Sequence, residues 1–176
     1  MRRAPSAVPA SNSPRTRRDQ AHRSERSLRV FVFVLVLTLT LPALAAAEDI
    51  CGYTPKGMVT LSRDGHPVAT FRVGLAENTS EYRQGLMRCP VLEKGSGLLF
   101  IYPAPARRVF WMKNTPLELA ILFAGADGRI KAIEKGAPES TRRIHSPAAI
   151  QYVLEINHEE AGTLRIGDRI TLRRVP

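Results

Sequence analysis

The chain has 176 residues and a formal net charge of +10, but eight arginines against Asp19 and Glu25 place +6 of it in the first 47 residues, leaving about +4 scattered over the rest. With no basic stripe interleaved with aromatics, the charge excludes the pattern of a nucleic-acid-binding surface. Two cysteines, without a CxxC or a His–Cys cluster, exclude the ligand spacing of a zinc site.

Residues 1–47 read as a cleaved export signal. A basic n-region leads into the apolar run VFVFVLVLTLTL, followed by Pro42 and ALAAA, with Ala45 and Ala47 suited to a signal peptidase and the cut placed after Ala47. Val30 to Ala47 falls just short of the roughly 20 residues that span a bilayer, and Pro42 with the alanines argues against an uncleaved anchor. Acylation of Cys51 fails because Asp49 and Ile50 stand where small residues are needed. The expectation is a periplasmic or secreted product, 48–176, with no stable membrane insertion. Its 129 residues suit one domain with a modest core.

Along that domain, residues 57–62 predict a strand, RDGH at 63–66 a turn, and VATFRVGL at 68–75 an alternating strand with Phe71, Val73 and Leu75 on one face. Asn78 as N-cap, Glu81 three residues on and Gly85 as stop predict one short helix. GLLFIY at 97–102 reads as a buried strand, PAPA as a loop, and RRVFWMKN as the next strand. LELAILF and IKAIE form a hairpin about Asp127-Gly128. Residues 135–149 read as a long loop. YVLEI carries Tyr152, Leu154 and Ile156 on one face and Val153 and Glu155 on the other; EEAGTL suggests a helical turn, IGD a turn, and RITLRRV the last strand, with Ile170 and Leu172 inward. About eight short strands and one or two short helices give a mostly β, largely antiparallel barrel or sandwich, with the barrel preferred.

Cys51 and Cys89 leave two readings: a disulfide closing a loop of 38 residues, worth about 3 to 4 kcal/mol in the chain-entropy model, or a buried free thiol and a frayed one. An oxidising compartment is the ground for expecting the bridge.

QGLMR at 84–88, GLLFIY at 97–102, FWMKNTPLELAILF at 110–123, DGRI at 127–130, YVLEIN at 152–157 and GDRI at 167–170, in that order, resemble the domain-of-unknown-function 192 family. The resemblance implies a small, mostly β domain, often exported in bacteria, with no established reaction, cofactor or substrate. This chain departs from the family pattern in having Glu118 and Ala120 where proline and aspartate are usual, and Arg88-Cys89 after GLM where an aromatic and arginine are common. No role of the family's aspartate carries onto Ala120.

WMKNT concentrates the polar chemistry beside the sole tryptophan. As a strand, it places Trp111, Lys113 and Thr115 on one face and Met112 and Asn114 on the other. The structural reading makes Trp111 partly buried, the Lys113 stem lying across it, and Asn114 and Thr115 turn residues before Pro116. The functional reading makes the stretch one wall of a ligand cleft: Trp111 the apolar platform, Lys113 the charge, Asn114 and Thr115 orienting groups, and Glu155 the completing carboxylate, paired with Lys113 or accepting a ligand hydroxyl. A glycan, peptide or acyl-bearing envelope molecule would suit it. The alternatives are a non-enzymatic module presenting a sheet edge to an envelope protein, and a hydrolase-like site with Lys113 as base and Thr115 as nucleophile. His66, His145 and His158 sit in polar loops, where exposure is the commoner explanation. No catalytic residues, cofactor or metal are assigned. Concavity at Trp111 discriminates: an enclosed cleft favours ligand binding or catalysis, and a flat surface favours a protein partner or the structural reading.

Overall fold

The computed structural model describes residues 49–175; the export signal and Glu48 lie outside the described residues. The strands are β1 (Gly57–Arg63), β2 (His66–Ala76), β3 (Ser96–Ala106), β4 (Val109–Phe110), β5 (Leu119–Ala124), β6 (Ile130–Gly136), β7 (Ile144–His145), β8 (Ile150–Asn157) and β9 (Arg169–Arg174). Among the described residues, one α-helix, α1 (Thr79–Gln84), follows β2, and a 3₁₀ turn, His158–Ala161, follows β8. Seven strands form one sheet in the order β6-β5-β8-β3-β2-β1-β9, and β4 pairs with β7 in a separate two-stranded flap. Every pair is antiparallel except β2–β3, which is parallel with Arg72 beside Ser96.

The turn chemistry lies where the sequence puts it. Asp64 and Gly65 both take positive φ, 49° and 82°, between β1 and β2, the backbone that a two-residue hairpin requires. Asn78 Oδ1 accepts from the Ser80 and Glu81 amides at 3.0 and 3.1 Å while Glu81 Oε2 accepts from the Asn78 amide at 3.2 Å, a reciprocal capping box. In the β5–β6 hairpin, Asp127 Oδ1 accepts from the Arg129 amide and Gly128 has φ of 75°.

Alternation gives the sheet two buried faces. Phe71, Val73, Leu75, Leu154 and Ile156 meet on one; Leu98, Phe100, Ile121, Phe123 and Val153 lie on the other. The second face is covered by α1, the segment after it, the Cys51 region and the β4–β7 flap, whose Met112 and Ile144 enter that core. Gly136 makes room: a Cβ there would lie 2.5 Å from Met112 Sδ.

Four expectations are corrected. The sheet is not a closed barrel: its edges, β6 and β9, are not paired strands and join at one end, around the bridge between Arg129 and Arg169, with Ile130 and Ile170 amides donating across it at 2.8 Å each. The result is sandwich-like, because covering layers rather than ring closure bury the outer face. PAPA continues β3 rather than forming a loop, with a register shift between Ile101 and Ala106, as suits proline at a bulge. The strand expected over 107–114 is only Val109–Phe110, for reasons given below. The loop 135–149 contains β7, paired to β4 with Val109 opposite His145.

Cys51 and Cys89 form a disulfide with Cα atoms 5.2 Å apart. Among the described residues, no helix is long and apolar enough to cross a membrane, and no cluster of three or more His, Cys, Asp or Glu could hold a metal.

Candidate ligand-binding cleft

Between α1 and the β4–β7 flap lies a cleft of about 520 Å³, within the range of roughly 300 to 1,000 Å³ usual for small-molecule sites. Tyr82, Phe100, Tyr102, Phe110 and Trp111 give it an aromatic lining. Phe110 sits edge-on to Phe100 and Phe123, at centroid distances of 5.2 and 5.6 Å, which fixes the flap against the sheet.

Glu155 is the polar residue that the fold forces into this wall. It sits on β8 between Leu154 and Ile156, which face the opposite core, so alternation turns it toward the cleft. It is only 5% exposed, and no hydrogen bond or ion pair from the described residues reaches its carboxyl. Burial alone pushes its pKa up to about 8, because desolvation disfavours the charged form. Tyr102, 6% exposed, also lines the cleft, its pKa pushed up to about 12 chiefly by burial. Its ring lies 4.5 Å from Tyr82 and has the Arg108 guanidinium 4.0 Å above its centroid. The Tyr82 hydroxyl donates to the Ile101 carbonyl at 2.6 Å, tying α1 to β3.

Gly85 closes α1 with φ of 49° and ψ of −136°, a backbone that side chains disfavour. A Cβ there would stand 3.3 Å from Phe100 Cζ and 3.8 Å from Glu155 Oε2. The sequence therefore keeps the space above the carboxyl open. Arg83 and Arg143 line the cleft from exposed positions.

The residues singled out in the sequence separate into two groups. Trp111, Thr115 and Glu155 line the cleft, whereas Lys113 and Asn114 do not. Trp111 is 45% exposed, and Lys113 Nζ lies 5.4 Å from its ring centroid, a cation–π contact on the solvent side. Asn114 has φ of 57°, the left-handed region that asparagine tolerates better than most residues. This is why the strand stops after Phe110: the Thr115 amide closes a turn on the Met112 carbonyl at 3.0 Å, and the Asn114 carbonyl accepts from the Arg88 amide at 2.7 Å. Thr115 is 5% exposed, and its hydroxyl donates to the Lys113 carbonyl at 3.4 Å. No Lys113–Glu155 pair forms among the described ion pairs, and no Lys113–Thr115 side-chain contact links a base to a nucleophile. Glu118 is exposed and pairs with Lys135, while Ala120 is fully buried in the opposite core; neither lines the cleft. Sequence reading missed Tyr82, Tyr102 and Arg143, although the first two follow from the capped helix and the strand GLLFIY once their neighbouring positions are known.

A profile of the uncharacterised ACR family, domain of unknown function 192, matches residues 59–172. The chain belongs to the domain-of-unknown-function 192 family. Two solved structures are similar to it. One is a protein of unknown function from Novosphingobium aromaticivorans, 28% identical, covering 76% of this chain and 98% of its own, with a TM-score of 0.65. The other, from Sinorhizobium meliloti and provisionally described as a transcription regulator, is 34% identical, covers 68% of this chain and 95% of its own, and gives a TM-score of 0.64. No curated protein matches the chain. The family match extends from β1 to β9 and so includes α1, the flap and Glu155.

Proposed function

We propose that this member of the domain-of-unknown-function 192 family is an exported protein that binds a small envelope molecule in the cleft between α1 and the β4–β7 flap. Glu155 carries the reading. A carboxyl left 5% exposed without a partner is costly in the free protein, and a ligand donor reaching it offsets that cost. The concavity beside Trp111 favours a ligand over a flat protein-docking face. Binding is favoured over catalysis because Thr115 is engaged in its own turn and Lys113 points to solvent. The regulator description belongs to the Sinorhizobium protein; here the only α-helix described has six residues, and the charge is scattered, so DNA binding gains no support.

Native mass spectrometry of the protein purified from its own cells tests this. A noncovalent small-molecule adduct is expected on the wild type and lost in Glu155→Ala; bare protein in both samples would remove the binding reading. The same spectra report the leader: a chain beginning at Glu48 supports export, and one retaining residues 30–47 overturns it.

A further inference from the structure

The charged groups around the cleft are arranged by depth. Glu155, the one carboxylate in the lining, is buried, and no arginine contributes to its shifted pKa. Arg83 and Arg143, the two cations in the lining, are exposed. The described ion pairs join Arg63 to Asp168, Arg72 to Glu93, Arg129 and Lys131 to Asp127, Lys135 to Glu118, and Arg174 to Glu77. Neither Arg83 nor Arg143 is among them. The mouth is thus cationic and uncompensated, the interior offers a lone acid, and aromatic rings line the space around them.

Resting on the ligand-binding reading above, we infer that the cleft takes a short zwitterion, such as an amino-acid-like or peptide-like molecule, with its ammonium group on Glu155 and its anionic end between Arg83 and Arg143. A neutral sugar would satisfy Glu155 through a hydroxyl but would leave both arginines unused. A simple anion would be drawn to the mouth but would bring no donor to the buried carboxyl of Glu155. A simple amine would meet the acid but would have to pass two like charges. Only a molecule with both groups uses both ends, and its aliphatic middle is suited to Tyr82, Phe100 and Tyr102. The ammonium also gains from aromatic faces around it. The arginines supply forked donors for a carboxylate or phosphate, and their exposure makes them selective at capture rather than dominant in affinity.

Trp111 is the sole tryptophan, and its position in the lining makes its emission a direct reporter of occupancy. The full chain is titrated with ω-aminoalkanoates of roughly four to eight carbons, the matched alkylamines and alkanoates, and methyl glucoside, sizes that such a cleft accommodates. At least one aminoalkanoate is expected to saturate the signal at a concentration about tenfold below either monofunctional analogue. Glu155→Gln should erase its advantage over the alkanoate, and the double variant Arg83→Ala/Arg143→Ala its advantage over the alkylamine. An advantage that survives in either variant overturns the inference. So does glucoside binding more tightly than every aminoalkanoate, although glucoside binding that depends on Glu155 leaves the cleft reading standing. Silence from every probe also overturns it, and together with bare protein in the native spectra removes both readings.

Discussion

Glu155 has a consequence for the free protein that is independent of any ligand. Its folded pKa of about 8 lies above the ordinary value of 4.5, so the folded state holds this proton more tightly than the unfolded chain does. The resulting stability is fully present below 4.5 and declines as pH rises through about 8. The surrounding groups do not mask this: Tyr53 and Tyr102 are both pushed up to about 12 and remain neutral in that window. Thermal unfolding should therefore show Tm falling between pH 5 and 8.5, by an amount on the order of 3 kcal/mol in stability. Glu155→Gln should flatten that slope and make the protein more stable at pH 8; an unchanged slope in the variant would mean that Glu155 is not the buried acid described. This residue was legible in the sequence because the two-residue period of YVLEI fixes which side it faces. Its isolation was not legible, since that depends on α1 and the flap excluding other donors.

At the scale of elements, the flap shows where the period-two reading ends. Alternation across WMKNT fails at Asn114, whose left-handed backbone turns the chain and sends Lys113 to solvent while Thr115 goes inward. Asn114→Ala is expected to cost about 1 kcal/mol, from placing an ordinary side chain at positive φ, and Asn114→Gly far less. Lys113→Ala should change stability by less than about 0.5 kcal/mol, as surface substitutions usually do. Chemical denaturation measures all three, and equal losses for alanine and glycine at position 114 would argue against the turn. The Asn-Thr-Pro run does carry a turn signal, but FWM before it reads as strand, and neither local pattern decides the boundary. The fold then resolves the conflict through the Arg88 amide. The other closing element is the disulfide, which binds the segment after α1 to Cys51. Replacing both cysteines with serine should lower stability by about 3 to 4 kcal/mol for a loop of this length and weaken ligand binding, because Leu86 and Met87 in that segment line the cleft. Retained stability in the double variant would show that packing alone holds the wall.

For the whole molecule, strand number and sidedness were legible, and the absence of closure was not. Amphipathic strands specify two faces, but whether the ends of a curled sheet join depends on strand tilt and stagger, which no residue pattern displays. Here the edges touch at one end, beside Asp168, whose carboxylate accepts from Arg63 Nε at 2.8 Å and from the Arg165 amide at 2.8 Å. The Arg63 hydrogen bond, foremost, holds its carboxyl below the usual aspartate range, so this contribution is present above the unfolded pKa and lost as pH falls through the lower folded one. Asp168→Asn is expected to lower Tm at neutral pH and to shrink the loss of stability on acidification below pH 4; an unaltered acid limb would show that the edge contact does not depend on this charge.

The parallel pairing of β2 with β3 obliges the chain to travel back along the sheet before the second strand begins, and residues 77–95 make that journey while forming one side of the cleft. The ends of this return path are set by strand register, but its length is not, and doubling a flexible connection costs only about 0.6 kcal/mol. Insertions or deletions between α1 and β3 can therefore reshape the pocket while leaving the strand order intact. Such a scaffold can acquire new ligand preferences through changes in one connection, and its relatives can diverge in what they bind while remaining alike in fold.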